Sequence, residues 1–330
     1  MLRDMPTLLA TRRARIHHRP RRAIQRSRVV VVGDIVVDVI LAPAGDIERG
    51  SDVRGRVLAR AGGSAATAAR WLGRLGAQST LVCAIGRDAA GRALVAAATD
   101  DGVTVRAVRV AGARTGRIGV LVEPDGQRSF VQDRGAALRL RPEDLKPDWF
   151  AGAEAVHLPA YSLLDEPLGR AGMEAIRLAR AAGALITVDL ASTAPLLALG
   201  RRHGIALIRD ARPDLLFANR DEAKALMGNK YEERLLELAP IAVVKRGRKG
   251  ASIHIRTDRA PLRFDIATTP IMTADTTGAG DAFDAGFLVG WLDARRRGLA
   301  PAEALRRGAV AGNRAALRQL SHPRAELSLG

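Results

Sequence analysis

Nine residues near the C-terminus, Asp275-Thr276-Thr277-Gly278-Ala279-Gly280-Asp281-Ala282-Phe283, join a glycine-rich turn to two carboxylates. They lead into an apolar run that reaches Trp291 with a helix-like pattern. A turn of this composition can aim successive backbone N–H groups at one spot, at the positive end of the helix that follows. That geometry binds an anion. Asp281 would stand beside the anion, a poor place for a carboxylate unless it has a task there. Accepting a proton from a hydroxyl that attacks a phosphoryl group is such a task. In a lone Gly-x-Gly-Asp the glycines would more readily just make a turn and the acid just start a helix, so the length of the run carries the reading.

Other segments offer partners for that chemistry. Asp38, in Gly33-Asp34-Ile35-Val36-Val37-Asp38, falls just past a strand end, where a carboxylate can accept hydrogen bonds from two hydroxyls or simply lie in a loop. Gly62-Gly63-Ser64-Ala65-Ala66-Thr67 opens a helix; its glycines permit close approach of a ligand, and Ser64 could cap the helix or touch a hydroxyl. Asn219-Arg220-Asp221-Glu222 reads as a helix N-cap with an acid at the third position, a capping-box variant. Lys245-Arg246-Gly247-Arg248-Lys249-Gly250 follows a strand, and its charges could meet phosphates or be solvated. No G-x-x-x-x-G-K-[ST] and no G-x-G-x-x-G after a strand occurs, and the six histidines show no metal-ligand spacing.

The nine-residue run resembles the C-terminal signature of the ribokinase-like, or PfkB, carbohydrate kinases, and the resemblance extends over residues 28 to 320 with motifs in family order, including Ile85-Gly86-Arg87-Asp88-Ala89-Ala90-Gly91. It implies an ATP-dependent kinase acting on a hydroxymethyl group of a small ribose- or fructose-like sugar. Asp281 is then the base, with the amides of Gly278, Ala279 and Gly280 around the transferred phosphoryl group. Asp38, Gly62, Gly63, Ser64 and Thr67 would hold the acceptor. Thr67 stands where the family usually has asparagine, so the sugar contact differs. Asn219, Lys245, Gly247, Gly250 and Asn313 would bind nucleotide. Glu222 would support Mg²⁺ through water, which suits an ion that keeps its hydration. Asp275 and Thr277 match positions that contribute to a K⁺ site in many relatives, whose remaining ligands would come from the poorly matching Arg318 to Glu326 region. A nucleoside kinase on the same fold is the rival, and a non-catalytic sugar or nucleotide sensor is the more distant one. A homodimer through the β-lid is a further expectation.

The elements that must position these residues alternate. A β-branched run from Arg28 ends at Gly33, as a buried parallel strand does. Further strands are expected at Ser79 to Ile85, Ala155 to Leu158, Leu185 to Asp189, Asp214 to Ala218 and Ile241 to Lys245. Helices at Ala65 to Leu75, Asp88 to Thr99, Pro167 to Ala182 and Arg220 to Met227 separate them. Such alternation predicts an α/β fold, a three-layer α/β/α sandwich with a mostly parallel central sheet. Ligands then lie at the carboxyl ends of the strands. Val36 to Leu58 and Val103 to Val131, with turns such as Pro124-Asp125-Gly126, read as small antiparallel strands outside that sheet, forming a β-lid. The expected domain is residues 28 to 320, after a basic disordered tail (1–27) and before a C-terminal tail (321–330).

Composition bounds the partners. The 330 residues carry a net charge of +17, and residues 1–28 hold nine arginines against one acid, Asp4. Forty-seven arginines against five lysines, with much alanine, fit a GC-rich genome better than a nucleic-acid groove. Aromatic residues at 3% leave few platforms for stacking bases. The Arg-rich start could be a transit peptide or a plain tail. No apolar run approaches the roughly 20 residues of a membrane span. The single Cys83 sits in an apolar strand and excludes an internal disulfide, which fits a cytoplasmic protein.

Overall fold

Four consecutive valines set the centre of the molecule. In β1 (Arg28–Val32), Val29 and Val31 face one apolar layer while Val30 and Val32 face the other, and all four are fully buried. A strand covered on both faces needs no polar alternation. The computed structural model describes residues 26–123, 128–273, 275–322 and 324–328. The expected turn at Pro124-Asp125-Gly126 and most of the basic tail lie outside them.

The strands follow in order as β2 (Val36–Pro43), β3 (Gly55–Gly62), β4 (Gln78–Gly86), β5 (Val103–Val110), β6 (Thr115–Val122), β7 (Arg128–Gly135), β8 (Ala155–Pro159), β9 (Leu185–Asp189), β10 (Leu215–Asn219), β11 (Ile241–Lys245), β12 (Ala251–Ile255) and β13 (Leu262–Ile266). Nine of them form one sheet in the order β13-β12-β11-β10-β9-β8-β1-β4-β5. All pairings from β11 to β5 are parallel, and only the β11–β12 and β12–β13 pairings are antiparallel, so β12 alone is reversed. The helices Ser64–Arg74, Ala89–Asp100, Ala279–Arg296 and Pro301–Ser321 contribute to one apolar layer, and Leu168–Ala181, Arg201–Ala211 and Arg220–Met227 to the other. From β1 the chain builds outward first through β4 and β5, then in the opposite direction through β8 to β11. The crevice at such a reversal is where ligands bind in open α/β sheets.

The second sheet has the order β3-β2-β6-β7 and lies outside the first. β2 pairs with β3 antiparallel but with β6 in parallel. The expected lid boundary at Val103 is incorrect. β5 joins the main sheet, paired with β4 from Ser79↔Val103 to Gly86↔Val110. As the edge strand it is only partly covered and alternates Val103-Thr104-Val105-Arg106, the pattern of a half-exposed lid strand. The expected C-terminal tail is likewise ordered at its start. Ser321 ends a helix, and the Leu327 amide donates to the Ala59 carbonyl of β3 at 2.8 Å. At the other end Ser27 is already buried, and its carbonyl accepts from the Gln78 amide at 2.8 Å.

Candidate active site

The strand ends supply the first residues. Two residues beyond β1 stands Asp34, whose carboxylate accepts from the Ala65 amide at 3.2 Å and so satisfies one of the open donors at the start of the helix Ser64–Arg74. Gly63 is the N-cap, so Ser64, the first helical residue, does not cap the helix. Its hydroxyl donates to Asp281 at 2.5 Å. Asp38, on β2, is buried, and a Cβ at Gly62 would sit 2.2 Å from its carboxylate oxygen, so the glycine is required by the close approach of that side chain. Gly278, with φ +76°, caps the helix Ala279–Arg296 in a conformation that favours glycine.

At that helix start the Ala279 amide turns to the Thr276 carbonyl at 3.3 Å, while the amides of Gly280 and Asp281 have no carbonyl a turn back to bond. The Lys245 ammonium, from the end of β11, lies 3.3 Å from the place a Gly280 Cβ would take. It donates to Asp189 at 2.9 Å and to Asp284 at 3.2 Å. Both carboxylates are buried, Asp284 completely. The Lys245 charge is therefore neither solvated nor merely waiting for phosphate, as the sequence suggested. It is the counter-ion of an acidic cluster. Burial opposes its charge, but Asp189, Asp284 and Glu222 outweigh that and raise its pKa.

The capping box at Asn219 is present. The Asn219 side chain accepts from the Asp221 and Glu222 amides at 2.9 and 2.8 Å, and Glu222 accepts from the Asn219 amide at 2.8 Å. Burial first, and the nearby Asp189 second, push Glu222 up to about 7. Asp281 is also pushed up to about 7, mainly by burial and further by Asp189, against the opposing pull of Ser64 and Lys245.

One cleft of about 660 Å³ gathers these groups. It is lined by Asp38, Gly63, Ser64 and Thr67 at one end and by Asn219, Glu222, Lys245, Gly247, Gly250 and Asn313 at the other. Thr277, Gly278, Ala279, Gly280 and Asp281 lie between. Of the expected site residues only Gly62 and Asp275 are absent from the lining. Asn313 spends its amide group on the Ala267 carbonyl at 3.1 Å, holding the end of β13. Asp275, expected beside K⁺, instead meets Arg60 and Arg128, each at 3.2 Å.

Residues 26–322 match the pfkB family of carbohydrate kinases. The chain belongs to this family. It is 28% identical to a probable fructokinase-4 of Arabidopsis thaliana over 82% of its own length and 84% of that protein. It is 31% identical to an ATP-dependent ribose-1-phosphate kinase of Halopiger xanaduensis over 80% and 85% of the two chains. The solved adenosine kinase of Sinorhizobium meliloti superposes with a TM-score of 0.78 at 26% identity, covering 92% and 98%.

Within this pfkB kinase, three lining groups (Asp189, Arg134 and Arg324) and the fully buried Asp284 behind them escaped the sequence reading. Asp189 and Asp284 could have been found: Asp189 ends a recognised strand, and Asp284 follows Asp281 by three residues, on the same helix face. Arg134 and Arg324 had no local signal. Arg134, buried on β7, lies over the Tyr161 ring at 5.0 Å and 3.5 Å from Asp34. Arg324 bonds Asp38 at 2.7 Å from 286 residues away.

Replacing Lys245 by methionine would strand the Asp189 and Asp284 charges in the interior. The expected loss of unfolding free energy at pH 8 is about 3–5 kcal/mol, read from urea denaturation. An unchanged midpoint and slope would show that the ammonium is not their counter-ion.

Proposed function

We propose that this chain transfers the γ-phosphoryl group of ATP to a hydroxymethyl group of a small sugar. The observation that carries this reading is the Asp281 carboxylate, held by Ser64 at the open end of a helix and flanked by Lys245, midway along one cleft. The acceptor hydroxyl gives its proton to Asp281 while its oxygen attacks the γ-phosphorus. The bond from that phosphorus to the bridging oxygen breaks, and ADP leaves. The amides at the start of the helix Ala279–Arg296 and the Lys245 ammonium face the charge that develops on the transferred group. Asp38 binds acceptor hydroxyls, with Gly63, Ser64 and Thr67 beside it. Asn219, Gly247, Gly250 and Asn313 border the nucleotide.

The donor set also fits Mg²⁺. Asp189, Glu222, Asp281 and Asp284 share one ammonium, so a polyphosphate can enter only with added positive charge. Among the described residues no three carboxylate, imidazole or thiol groups converge on one point, which leaves the ion to phosphates, water and Glu222 or Asp189. Bound there, Mg²⁺ would neutralise phosphate charge.

A nucleoside acceptor is the second reading, supported by the Phe130 and Tyr161 rings in the lining and by the likeness to an adenosine kinase. The named relatives also favour testing fructose and ribose 1-phosphate. The lid's outward face exposes Leu41, Val57 and Val131, which supports pairing with a second copy. The buried Cys83, pushed up to about 12 mainly by burial, suits a reducing cytoplasm. None of the described helices is long and apolar enough to cross a membrane.

An ATP-consumption screen over fructose, ribose, ribose 1-phosphate, sugar acids, adenosine and pseudouridine tests the reading and ranks the acceptors. Asp281→Asn should lower turnover by roughly 10²–10⁴, with ATP binding kept in calorimetry. Near-normal turnover would remove Asp281 as the base. The base must be unprotonated, so kcat/KM should rise with pH up to about 7 and then level off. A flat profile from pH 5 to 8 would contradict it. Gly62→Ala would drive a methyl into the Asp38 carboxylate and should raise the acceptor KM by about tenfold or more, leaving the KM for ATP unchanged. Equal effects on both substrates would move the acceptor away from Asp38.

A further inference from the structure

Asp275 opens the turn that ends at Gly278, and its carboxylate, with the side chain 41% exposed, is approached by cations from three distant parts of the chain. Arg60 of β3 donates to one oxygen at 3.2 Å. Arg128 of β7 reaches the other oxygen at 3.2 Å and also donates to the Thr277 hydroxyl. Arg324, beyond the last helix, places its Nε 3.9 Å from Asp275 and its Nη1 2.7 Å from Asp38. The three side chains are only 13–17% exposed. The Thr277 amide completes the shell at 3.0 Å.

This shell does not fit the K⁺ that the family resemblance implied. The two expected side-chain ligands, Asp275 and Thr277, already accept guanidinium N–H groups. A further cation would stand among three positive charges in a part-buried place, where screening is weak. The region expected to complete a K⁺ site, Arg318 to Glu326, instead delivers Arg324. The ionised state of Asp275 is also favoured: burial works against it, but the Thr277 amide and hydroxyl, then Arg324 and Arg128, hold its carboxyl below the usual range.

We infer that Arg60, Arg128 and Arg324 supply from within the chain the positive charge that many relatives take from a bound monovalent cation, and that they order the turn Asp275 to Gly278 without one. These are positioning residues. They touch Asp275 and Thr277, and through the turn they fix where the amides of Gly280 and Asp281 point. Two of them, Arg60 and Arg128, belong to the lid sheet, so two of the turn's three counter-charges come from the lid. The catalytic part of the inference rests on the kinase reading; the ordering of the turn does not.

The test is a salt series on the full chain in potassium, sodium and tetramethylammonium chloride at one ionic strength, reading both thermal midpoint and turnover. The expected result is equal midpoints and rates within about twofold of one another. A higher midpoint or a rate about threefold or more greater in potassium would overturn the inference, because a cation that binds the native state stabilises it. Arg324→Met should lower kcat by about tenfold or more in tetramethylammonium through misplacement of the turn, and potassium should restore part of it. Unchanged kcat and midpoint in all three salts would show that the Arg324 charge orders nothing. Where Arg324→Met does not fold, the salt series on the unaltered chain decides alone. If no acceptor in the screen is phosphorylated, the kinase reading falls, while the thermal midpoints still decide whether a cation binds.

Discussion

One ammonium group in a low-dielectric cluster constrains everything around it. Lys245 is the positive charge shared by Asp189 and Asp284, with Glu222 and Asp281 close enough to feel its absence or presence. Buried carboxylates without such a partner would cost several kcal/mol each. The lysine must therefore stand where β9, β11 and the helix Ala279–Arg296 come together, and this fixes their relative positions.

Burial first, and the neighbouring Asp189 after it, push Glu222 and Asp281 up to about 7 in a protein that is otherwise strongly basic. One cation among four carboxylates leaves the local charge negative, whatever the +17 of the whole chain. Arg134, Arg248 and Arg324 line the same cleft, but the cation paired with Asp189 and Asp284 is Lys245. The positive end of a helix adds a partial charge fixed in place that needs no reorganisation during reaction.

Much of this was legible in the residue order, and the parts that were not have a common cause. Central strands such as Arg28–Val32 and Ile241–Lys245 declare themselves because burial on both faces permits only apolar side chains. The glycine turn, Asp281 and the Asn219 capping box are local patterns, complete within a few residues. β5 was assigned to the lid because an edge strand and a lid strand share the same half-covered pattern, and only hydrogen-bond register separates them. Asp189 belonged to a recognised strand, but nothing local says that its carboxylate turns toward a lysine 56 positions on. The arginines were the least legible. In a chain with 47 of them, no single one stands out until the fold shows which are buried.

Arg324 shows what such a long-range contact adds. Its guanidinium binds Asp38 of the lid sheet and approaches Asp275 of the glycine turn, so it ties the lid sheet to that turn. Leu327, three residues on, is docked against β3 and keeps the segment in place. Asp38 is pulled two ways: burial raises its pKa, and Arg324 lowers it. In the proposed reaction a sugar hydroxyl reaching Asp38 would meet a carboxylate already bonded by a guanidinium, and would have to use the remaining lone pairs. One side chain outside every recognised motif thus joins the lid sheet to the turn before the helix Ala279–Arg296.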